Sequence, residues 1–339
     1  MAVSVNRPQQ SDYAELKQRV KAAGLLDRQP RFYVPKITAA LTMLAIGLAL
    51  IFLVHAIWFQ ILNAIFLAIV FTQVAFLAHD GGHKAIFRPG GWGDAFCILD
   101  MNLLLGGSAG WWIGKHNAHH TNPNHVDLDP DFAIPVFAFS EEQARSKGGL
   151  MRWILRYQAY YFFPLLTLEY YSLRLSSFRY LLTKRSRYRF IEAPAMILHY
   201  PLYFGLVFWQ LGFGLGLVFL LIQQGLTGLY IGITFAPNHK GMPVLDDSTD
   251  MDFVRRQIVT ARNLRKGRIS DYVFGPLASQ IEHHLFPSMP TNNGRKAELV
   301  VKDFCNERSI SYYEVGVVQA FREILGHLQA VSSSLRTSH

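Results

Sequence analysis

The sequence has only two cysteines, Cys97 and Cys305, among its 339 residues. Two thiols are too few for a disulfide framework, and too few for an iron–sulfur cluster held by four thiolates. The sequence also lacks the His-Glu-x-x-His pattern of zinc proteases and the Glu-x-x-His pairs of ferritin-like di-iron bundles. Because no early apolar run precedes a small-residue cleavage site, we expect no removable signal peptide.

Charged side chains are missing from two pairs of apolar segments. Residues 37–59 and 61–78 form the first pair, and residues 193–211 and 213–236 form the second. Each segment is close to the roughly 20 residues that a helix needs to cross a bilayer. The sequence therefore predicts an all-α integral membrane protein with four transmembrane helices arranged as two hairpins. With no internal repeat or flexible linker, residues 1–339 are expected to form a single domain.

The basic residues predict the orientation of these helices. All 33 lysines and arginines lie before residue 37, between residues 84 and 189, or from residue 240 onward. By the positive-inside rule, both termini and the long middle loop are expected to be cytoplasmic. The formal net charge of +9 suits anionic lipid headgroups or a phosphate-bearing substrate. Nucleic acid is not expected as a partner, because no basic helix or finger pattern accompanies the charge.

Shorter patterns predict further elements. Residues 11–25 read as a surface helix that Ser11 caps. Residues 91–114 are apolar but broken by glycines, and both flanks need to be cytoplasmic, which favours a re-entrant or buried segment. Gly228 and Gly232 have the four-residue spacing of small residues that allows two helices to pack closely.

Two stretches are rich in arginine. Between residues 150 and 182 aromatic side chains alternate with arginines such as Arg156 and Arg174, a pattern typical of the lipid–water boundary, where arginine heads reach toward phosphates. The second stretch suits either an acidic partner protein or anionic lipid. Its basic residues are Arg255, Arg256, Arg262, Arg265, Lys266 and Arg268.

Eight of the thirteen histidines lie at the ends of apolar segments. Residues at i, i+3 and i+4 share one face of a helix, so the rings of one cluster can converge on a point. Imidazole suits iron, zinc and copper, and does not suit magnesium or calcium. All eight fall on the expected cytoplasmic side. They are His79 and His83 in HDGGH, His116, His119 and His120 in HNAHH, His239 in APNHKGMP, and His283 and His284 in QIEHH.

Eight histidines exceed the ligands that one metal takes, so the sequence predicts two metals. Gln280 opens QIEHH, and its amide oxygen is a competent but weaker ligand. A histidine-rich pair of irons in a membrane enzyme indicates activation of dioxygen against an inert C–H bond. His125 is expected to have a supporting or surface role, and His199, inside an apolar segment, to be paired structurally. Candidate acceptors for the ligand N–H groups are Asp80, Asn117, Asp127, Asp129, Asp131 and Glu282.

At these residues the chain resembles the membrane-bound fatty acid desaturase superfamily, and most closely the bacterial acyl desaturases related to the front-end group. The three histidine boxes agree in order and spacing, as do the surrounding segments WWIGKHNAHHTNPNHVDLDPD, FAPNHKGMP and SQIEHHLFPSMP. The resemblance covers about residues 32–328. It implies four membrane helices under a cytosolic helical cap, which holds a di-iron centre beside a bent acyl tunnel. Lining that tunnel is the alternative role for His199. By the same resemblance the protein would lie in the bacterial inner membrane.

The resemblance also implies two irons as cofactor, O2 as co-substrate and a division of the ligands. One iron would be bound by His79, His83, His120 and His284. The other would be bound by His116, His119, His239 and His283, with Gln280 where many relatives have histidine. That glutamine marks the front-end group but also occurs in bacterial relatives with other regiochemistry, so the position of the double bond stays open.

The implied activity is desaturation of an acyl-lipid or acyl-CoA. A hydroxylase, epoxidase or acetylenase on the same scaffold, or a zinc-dependent membrane hydrolase, would be the alternatives. Many eukaryotic relatives carry a fused cytochrome b5 with a His-Pro-Gly-Gly haem motif, but here the nearest string, at residues 88–91, begins with Arg88. We therefore expect no fused cytochrome b5, and a separate electron donor of the ferredoxin or cytochrome b5 type with an NAD(P)H reductase.

Overall fold

The computed structural model describes residues 11–184 and 186–336. The regular structure in these ranges is helical except for two short strands, β1 (Asn263–Leu264) and β2 (Glu314–Val315), which pair in parallel. The helices are α1 (Asp12–Ala22), α2 (Pro30–Leu53), α3 (Ile57–Gly82), α4 (Gly91–Ile98), α5 (Ala109–Thr121), α6 (Glu141–Ser146), α7 (Gly149–Leu155), α8 (Gln158–Leu166), α9 (Glu169–Thr183), α10 (Arg189–His199), α11 (Leu206–His239), α12 (Phe253–Val259), α13 (Arg268–Phe274), α14 (Gln280–Leu285), α15 (Gly294–Glu307) and α16 (Val317–Arg336). Short π-helical segments follow two helices: Leu99–Leu104 follows α4 and Tyr200–Gly205 follows α10. Short 3-10 helices precede two others: Gly275–Ser279 precedes α14 and Thr291–Asn293 precedes α15.

Three helical stretches of the described chain are long and apolar enough to cross a membrane: α2, α3 and the continuous run Arg189–His239. A fourth candidate is Gly91–Leu104 with Ala109–Thr121, which is bent by 109° as a broken span or a re-entrant loop would be. This agrees with the interrupted segment that the sequence predicts there. Inside the long run Gly212 leaves the helical conformation, with φ 68° and ψ 173°, at the expected turn. The four-span topology as a whole stays a prediction.

The first hairpin was predicted to turn between residues 59 and 61, and this position is wrong. The chain turns instead at residues 54–56, where the helical hydrogen bonding of α2 stops and α3 has not yet begun. The buried side-chain amide of Gln60 donates to the carbonyl of Leu50 at 2.9 Å and to that of Val54. The carbonyl of Leu50 also accepts from the backbone amide of Val54 at 3.2 Å, whereas the bond to Val54 gives a partner to a carbonyl just beyond α2. A residue of the following helix thus stabilises this helix end.

Helices α3 and α11 lie side by side at the centre of the fold, with α2 against α3 and with α8 and α9 against α11. Two glycines allow the approach of α8 and α9. A Cβ atom at Gly228 would lie 2.7 Å from the carbonyl oxygen of Thr167, and one at Gly232 would lie 2.8 Å from Cδ2 of Leu166. The predicted packing role of the two glycines is thus confirmed.

A second core joins the N-terminal helix to the C-terminal part of the chain. Leu16 of α1, Ile258 of α12, Ile281 of α14 and Phe304 of α15 are fully buried in it. The Ser11 side chain accepts from the amide of Ala14, as the predicted helix start requires. This core supports α14, the helix that carries the third histidine box.

The arginine-rich stretch on α7 to α9 agrees only in part with its predicted place at the lipid–water boundary. Trp153 and Tyr160 are 55% and 71% exposed, as side chains in contact with lipid would be. Arg174 is only 5% exposed, so the prediction that its head reaches toward phosphates is wrong for this residue. Its guanidinium has buried polar partners on other helices, which the local pattern could not reveal.

Candidate metal centre

The histidines come together because four helices end at one place. His79 lies in the last turn of α3 and His83 directly follows that helix, while His239 is the last residue of α11. The HNAHH and QIEHH boxes lie on α5 and α14. Helix α5 is fixed at its start by Ser108, whose hydroxyl accepts from the amide of Trp111 and donates to the buried carboxylate of Glu192 at 2.7 Å.

Four ligand nitrogens form a first group, from His79, His83, His116 and His283. These atoms all lie within 4.8 Å of one another, and all four residues are buried or nearly so. The Nε2 atoms of His79, His83 and His283 are buried and have no hydrogen-bond partner among the described residues. Buried polar atoms normally find a partner, so three unpaired nitrogens facing a common point fit a bound metal ion.

A second group consists of His119, His239 and His284, whose ligand atoms are also within 4.8 Å of one another. The Nε2 atoms of His239 and His284 are 3.0 Å apart. Gln280 joins this group, because its Nε2 lies 3.0 Å from the Nε2 of His239. The Oε1 atom of Gln280 is buried without a partner in the described chain, which leaves an oxygen available to a cation.

His120 lies between the two groups. Its Nε2 is 3.1 Å from the Nε2 of His116, and its ring stacks on that of His284 with centroids 4.2 Å apart. The resemblance allots His120 and His284 to one iron, and His116 and His283 to the other. The structure instead places His116 and His283 with His79. The two groups are in contact through His120, so the division of the ligands that the resemblance implies stays a prediction.

Acceptors behind the rings orient four of the histidines. Two of these acceptors are predicted ones: Asp80 lies 3.2 Å from Nδ1 of His79, and both carboxylate oxygens of Asp129 lie 3.0 Å from Nδ1 of His119. Such a bond holds the proton on Nδ1 and leaves Nε2 free for a metal. The role of these two aspartates in orienting ligands therefore follows from direct contacts.

The other two acceptors were missed by the sequence reading. The Oε1 of Gln257 lies 2.8 Å from Nδ1 of His284, while its Nε2 donates to the carbonyl of His120 at 2.9 Å. The carbonyl of Thr260 lies 2.9 Å from Nδ1 of His239. Gln257 lies outside every motif, and a backbone carbonyl has no sequence signature, so no signal identified either group.

The remaining predicted acceptors have other contacts. Asp131 pairs with Lys115 at 2.5 Å and is 3.5 Å from Nδ1 of His119. Glu282 accepts from Asn263 at 2.7 Å and from Tyr312, and so holds α14 against β1. The Asn117 carbonyl accepts from Thr121, and the Asp127 amide donates to His125, whose ring lies 3.4 Å from Asp247. The structure thus places Asn117, Asp127, His125 and Glu282 outside the bonds that orient the ligand rings.

The electrostatics of the site favour neutral imidazoles. Burial, reinforced by the neighbouring histidines, lowers the pKa of His83, His283 and His284 well below the ordinary value. Burial is the largest single influence on Asp129 and would raise its pKa, but the hydrogen bond with His119, its charge interaction with that ring and the nearby Lys240 together lower the pKa below the ordinary value. Neutral rings with free lone pairs, backed by ionised carboxylates, are the ligands that a transition metal requires.

Two cavities open onto the site. The first touches His79 and is otherwise lined mainly by apolar side chains of α3, α5, α9 and α11. The second, of about 310 Å³, touches His116, His119, His239 and Gln280. Its remaining wall is largely apolar but also includes the charged residues Lys115, Asp131, Glu169 and Lys240. The indole of Trp112 lines both cavities, and its ring stacks on His116 with centroids 4.4 Å apart.

The fold and the site define a helical membrane protein with a histidine-rich metal centre beside apolar cavities. Residues 56–316 match the family model described as fatty acid desaturase. The chain belongs to the fatty acid desaturase family, and the resemblance seen in its histidine boxes is confirmed.

Curated proteins that are similar to this chain are named as desaturases. The chain is 29% identical over 337 residues to an acyl-lipid (9-3)-desaturase of Physcomitrium patens, covering 97% of this chain and 64% of the relative. It is 30% identical over 319 residues to a Delta(8)-fatty-acid desaturase of Euglena gracilis, covering 89% and 74%. It is 27% identical over 312 residues to the Delta(5) fatty acid desaturase fat-4 of Caenorhabditis elegans, covering 88% and 69%. The names of these relatives differ in the position of the double bond.

Proposed function

We propose that this chain is an oxygen-dependent fatty acyl desaturase, which introduces a cis double bond into an acyl chain. The observation that carries the proposal is the contact between the histidine groups and the apolar cavities. A long hydrocarbon chain needs an apolar cavity, and the reacting carbons must lie beside the ligands. The cavity residues Trp112, Leu173, Phe235 and Leu277 line both spaces, so a chain that follows them passes the ligand rings.

The overall reaction converts –CH2–CH2–, O2, two electrons and two protons into –CH=CH– and two molecules of water. Two irons, when bound, supply the redox chemistry that activates O2 against the C–H bonds. The protein's own residues perform the positioning. The rings of the two histidine groups fix the ligand atoms, the cavity walls place one C–C bond beside them, and burial excludes water.

The proposed ligands are the residues of the two groups together with the two that lie beside them. Their number suits two metals better than one, since an octahedral ion takes six ligands. The proposal names the set of ligands and does not divide that set between the two ions. The full set is His79, His83, His116, His119, His120, His239, Gln280, His283 and His284.

The proposed setting is a bacterial inner membrane, with four spans and with both termini and the metal centre on the cytoplasmic side. The distribution of lysine and arginine and the break at Gly212 support this topology. The substrate is an acyl-lipid or acyl-CoA, and electrons come from a separate ferredoxin or cytochrome b5 type carrier with its reductase.

The first test combines metal analysis with lipid analysis. Protein from iron-replete cells is expected to hold about two irons per chain, by the ligand count above. Cells that express it with a reductase and carrier should accumulate an acyl product with one additional double bond only in the presence of O2. Hydroxylated, epoxidised or acetylenic products would identify one of the alternative oxidases. Zinc in an enzyme that is active without O2 would overturn the proposal in favour of a hydrolase.

A second prediction concerns Gln280. Gln280→His is expected to retain metal and part of the activity, because imidazole replaces one ligand by another. Gln280→Leu removes both the free Oε1 and the contact with His239, and should lower metal affinity by about tenfold or more. Iron content and product formation measure both variants. Wild-type iron content and activity in the leucine variant would exclude Gln280 as a ligand.

A further inference from the structure

The cavity that touches His79 extends away from the metal centre. Along α11 its lining includes Phe235 and Ile231, which lie four and eight residues before His239. At the rise of an α-helix, Ile231 is about 12 Å from His239 along the helix axis. Met101, in the π-helical segment after α4, and Leu105, directly after that segment, also line this cavity. The part of the cavity away from His79 is therefore mainly apolar.

Arg174 of α9 lines the same cavity, and its guanidinium is held from several sides. Nε and Nη2 donate to the carbonyl of Leu105 at 3.1 and 2.9 Å. Nη2 also lies 3.1 Å from the hydroxyl of Tyr170 and 2.8 Å from Nε2 of His199, and Nη1 donates to Gln224. The guanidinium carbon lies 4.1 Å from the centre of the Tyr170 ring.

The position of Gln224 shows that this cluster lies far from the metal centre. Gln224 precedes His239 by fifteen residues on the same helix, α11. That separation corresponds to about 22 Å along the helix axis, well beyond the level of Ile231. The guanidinium therefore lies at the end of the cavity that is remote from the histidines.

The partners of Arg174 are all neutral, and no carboxylate lies within 4 Å of it in the described chain. Its N–H groups already donate to these acceptors, so few donors remain for the carboxylate or headgroup of a ligand. The methyl end of an acyl chain needs no hydrogen-bond donor and can lie against this side chain. Moving the side chain aside would strip a buried cation of its acceptors, which is strongly unfavourable. The wall is therefore rigid as well as remote.

We propose that Arg174, fixed by Leu105, Tyr170, His199 and Gln224, is the end wall of the acyl cavity and limits the length of chain that fits beyond the metal centre. Arg174 is thereby a specificity-determining residue, and the methyl end of the substrate lies against it. This inference rests on the proposed desaturase function, because it assigns the occupant of the cavity as an acyl chain.

Two variants test the wall in opposite directions. Gly107 lines the same cavity, and a Cβ atom there would meet only Oγ of Ser177 at 3.6 Å and the carbonyl of Met101 at 3.8 Å. Gly107→Ala therefore fits, shortens the cavity and should move the preferred substrate to a shorter chain. Each buried methylene is worth about fourfold in preference. Arg174→Met replaces the anchored wall by a flexible apolar side chain, and should raise the relative rate for longer chains.

The measurement is competition among saturated acyl chains of increasing length, with the product profile read for each variant. Gly326→Ala is the control, because Gly326 lies on α16 and a Cβ atom there would meet nothing within 4 Å. The inference is overturned if Gly107→Ala and Arg174→Met change total activity but keep the wild-type length profile. If Arg174→Met loses iron or unfolds, the chain-length profile of Gly107→Ala alone tests whether this end of the cavity limits the length of the substrate.

A binding measurement separates this inference from the proposed function. Thermal stabilisation of the purified chain by saturated fatty acids of graded length needs no turnover. The wild type should be stabilised most by one length, and Gly107→Ala by a shorter one. If the wild type yields no unsaturated product but the length optimum still moves, the proposed function fails and the end wall stands. If the wild type desaturates and the optimum does not move, the end wall fails alone.

Discussion

Replacing His283 by alanine is expected to leave at most one iron per chain and to reduce product formation to below about one hundredth of wild type. The Nε2 of His283 is buried and unpaired in the first histidine group, so the alanine variant loses one of the four nitrogens of that group. Burial also keeps this imidazole neutral and ready to bind, since its pKa is lowered well below the ordinary value. Losses for residues that only orient ligands are about 10- to 100-fold, and direct ligands should exceed them.

The fold should survive this substitution. Helix α14 is held by its backbone bond from Ile281 to the Asn263 side chain at 2.9 Å and by the buried contacts of Ile281, neither of which involves His283. Membrane insertion and helical content should therefore match wild type. His125→Ala is the matched control, because His125 is close to the second box but outside both histidine groups. Normal iron content and activity in His283→Ala would show that His283 is not a ligand.

The purified protein is expected to form no product with NAD(P)H and O2 alone, and to turn over once a reductase and an acidic carrier are added. Residues 88–91 (Arg-Pro-Gly-Gly) contain no histidine to bind a haem. Cys97 and Cys305 are both buried and are too few for an iron–sulfur cluster. Sustained desaturation by the chain with NAD(P)H and O2 alone would contradict this prediction.

The structure shows that part of the basic stretch between residues 255 and 268 is not available to such a carrier. Arg262 is fully buried and paired with Glu323, and Arg255 is paired with Asp12 and Asp252. These two residues of the basic stretch are thus engaged within the protein, which corrects the expectation that the whole stretch is available.

Three residues of the basic stretch remain exposed: Arg265, Lys266 and Arg268. Lys266→Glu should lower the carrier-dependent rate severalfold at low salt, and the difference should shrink as salt rises. Arg145→Glu, on the exposed helix α6, is the control. An unchanged dependence on carrier in Lys266→Glu would assign the exposed residues to anionic lipid.

The sequence was sufficient for features that depend on neighbouring residues. Apolar runs predicted the long helices, and the histidine spacing predicted which side chains share a helix face. Gly212 was expected at a turn and Ser11 at a helix start, and both are found there. These features follow from hydropathy, from helix periodicity and from the conformational freedom of single residues, all of which act over a few positions of the chain.

The sequence was insufficient wherever a polar group needed a partner from a distant segment. The end of α2 is stabilised by Gln60 of the next helix, and Gln257 orients His284 from a helix without a motif. Arg174 looked like an interfacial residue by its aromatic neighbours, but it is buried because His199 and Gln224 accept its hydrogen bonds.

By itself, therefore, the sequence determined the helical class, the family and the set of histidines that could bind metal, since these follow from composition and spacing. Only the tertiary structure decided that His116 and His283 lie with His79, which acceptors orient the rings, and what closes the far end of the cavity at Arg174. The physical reason is that a buried polar atom must be satisfied by whichever group the packing of helices brings within about 3 Å, and that choice is made between residues far apart in the chain.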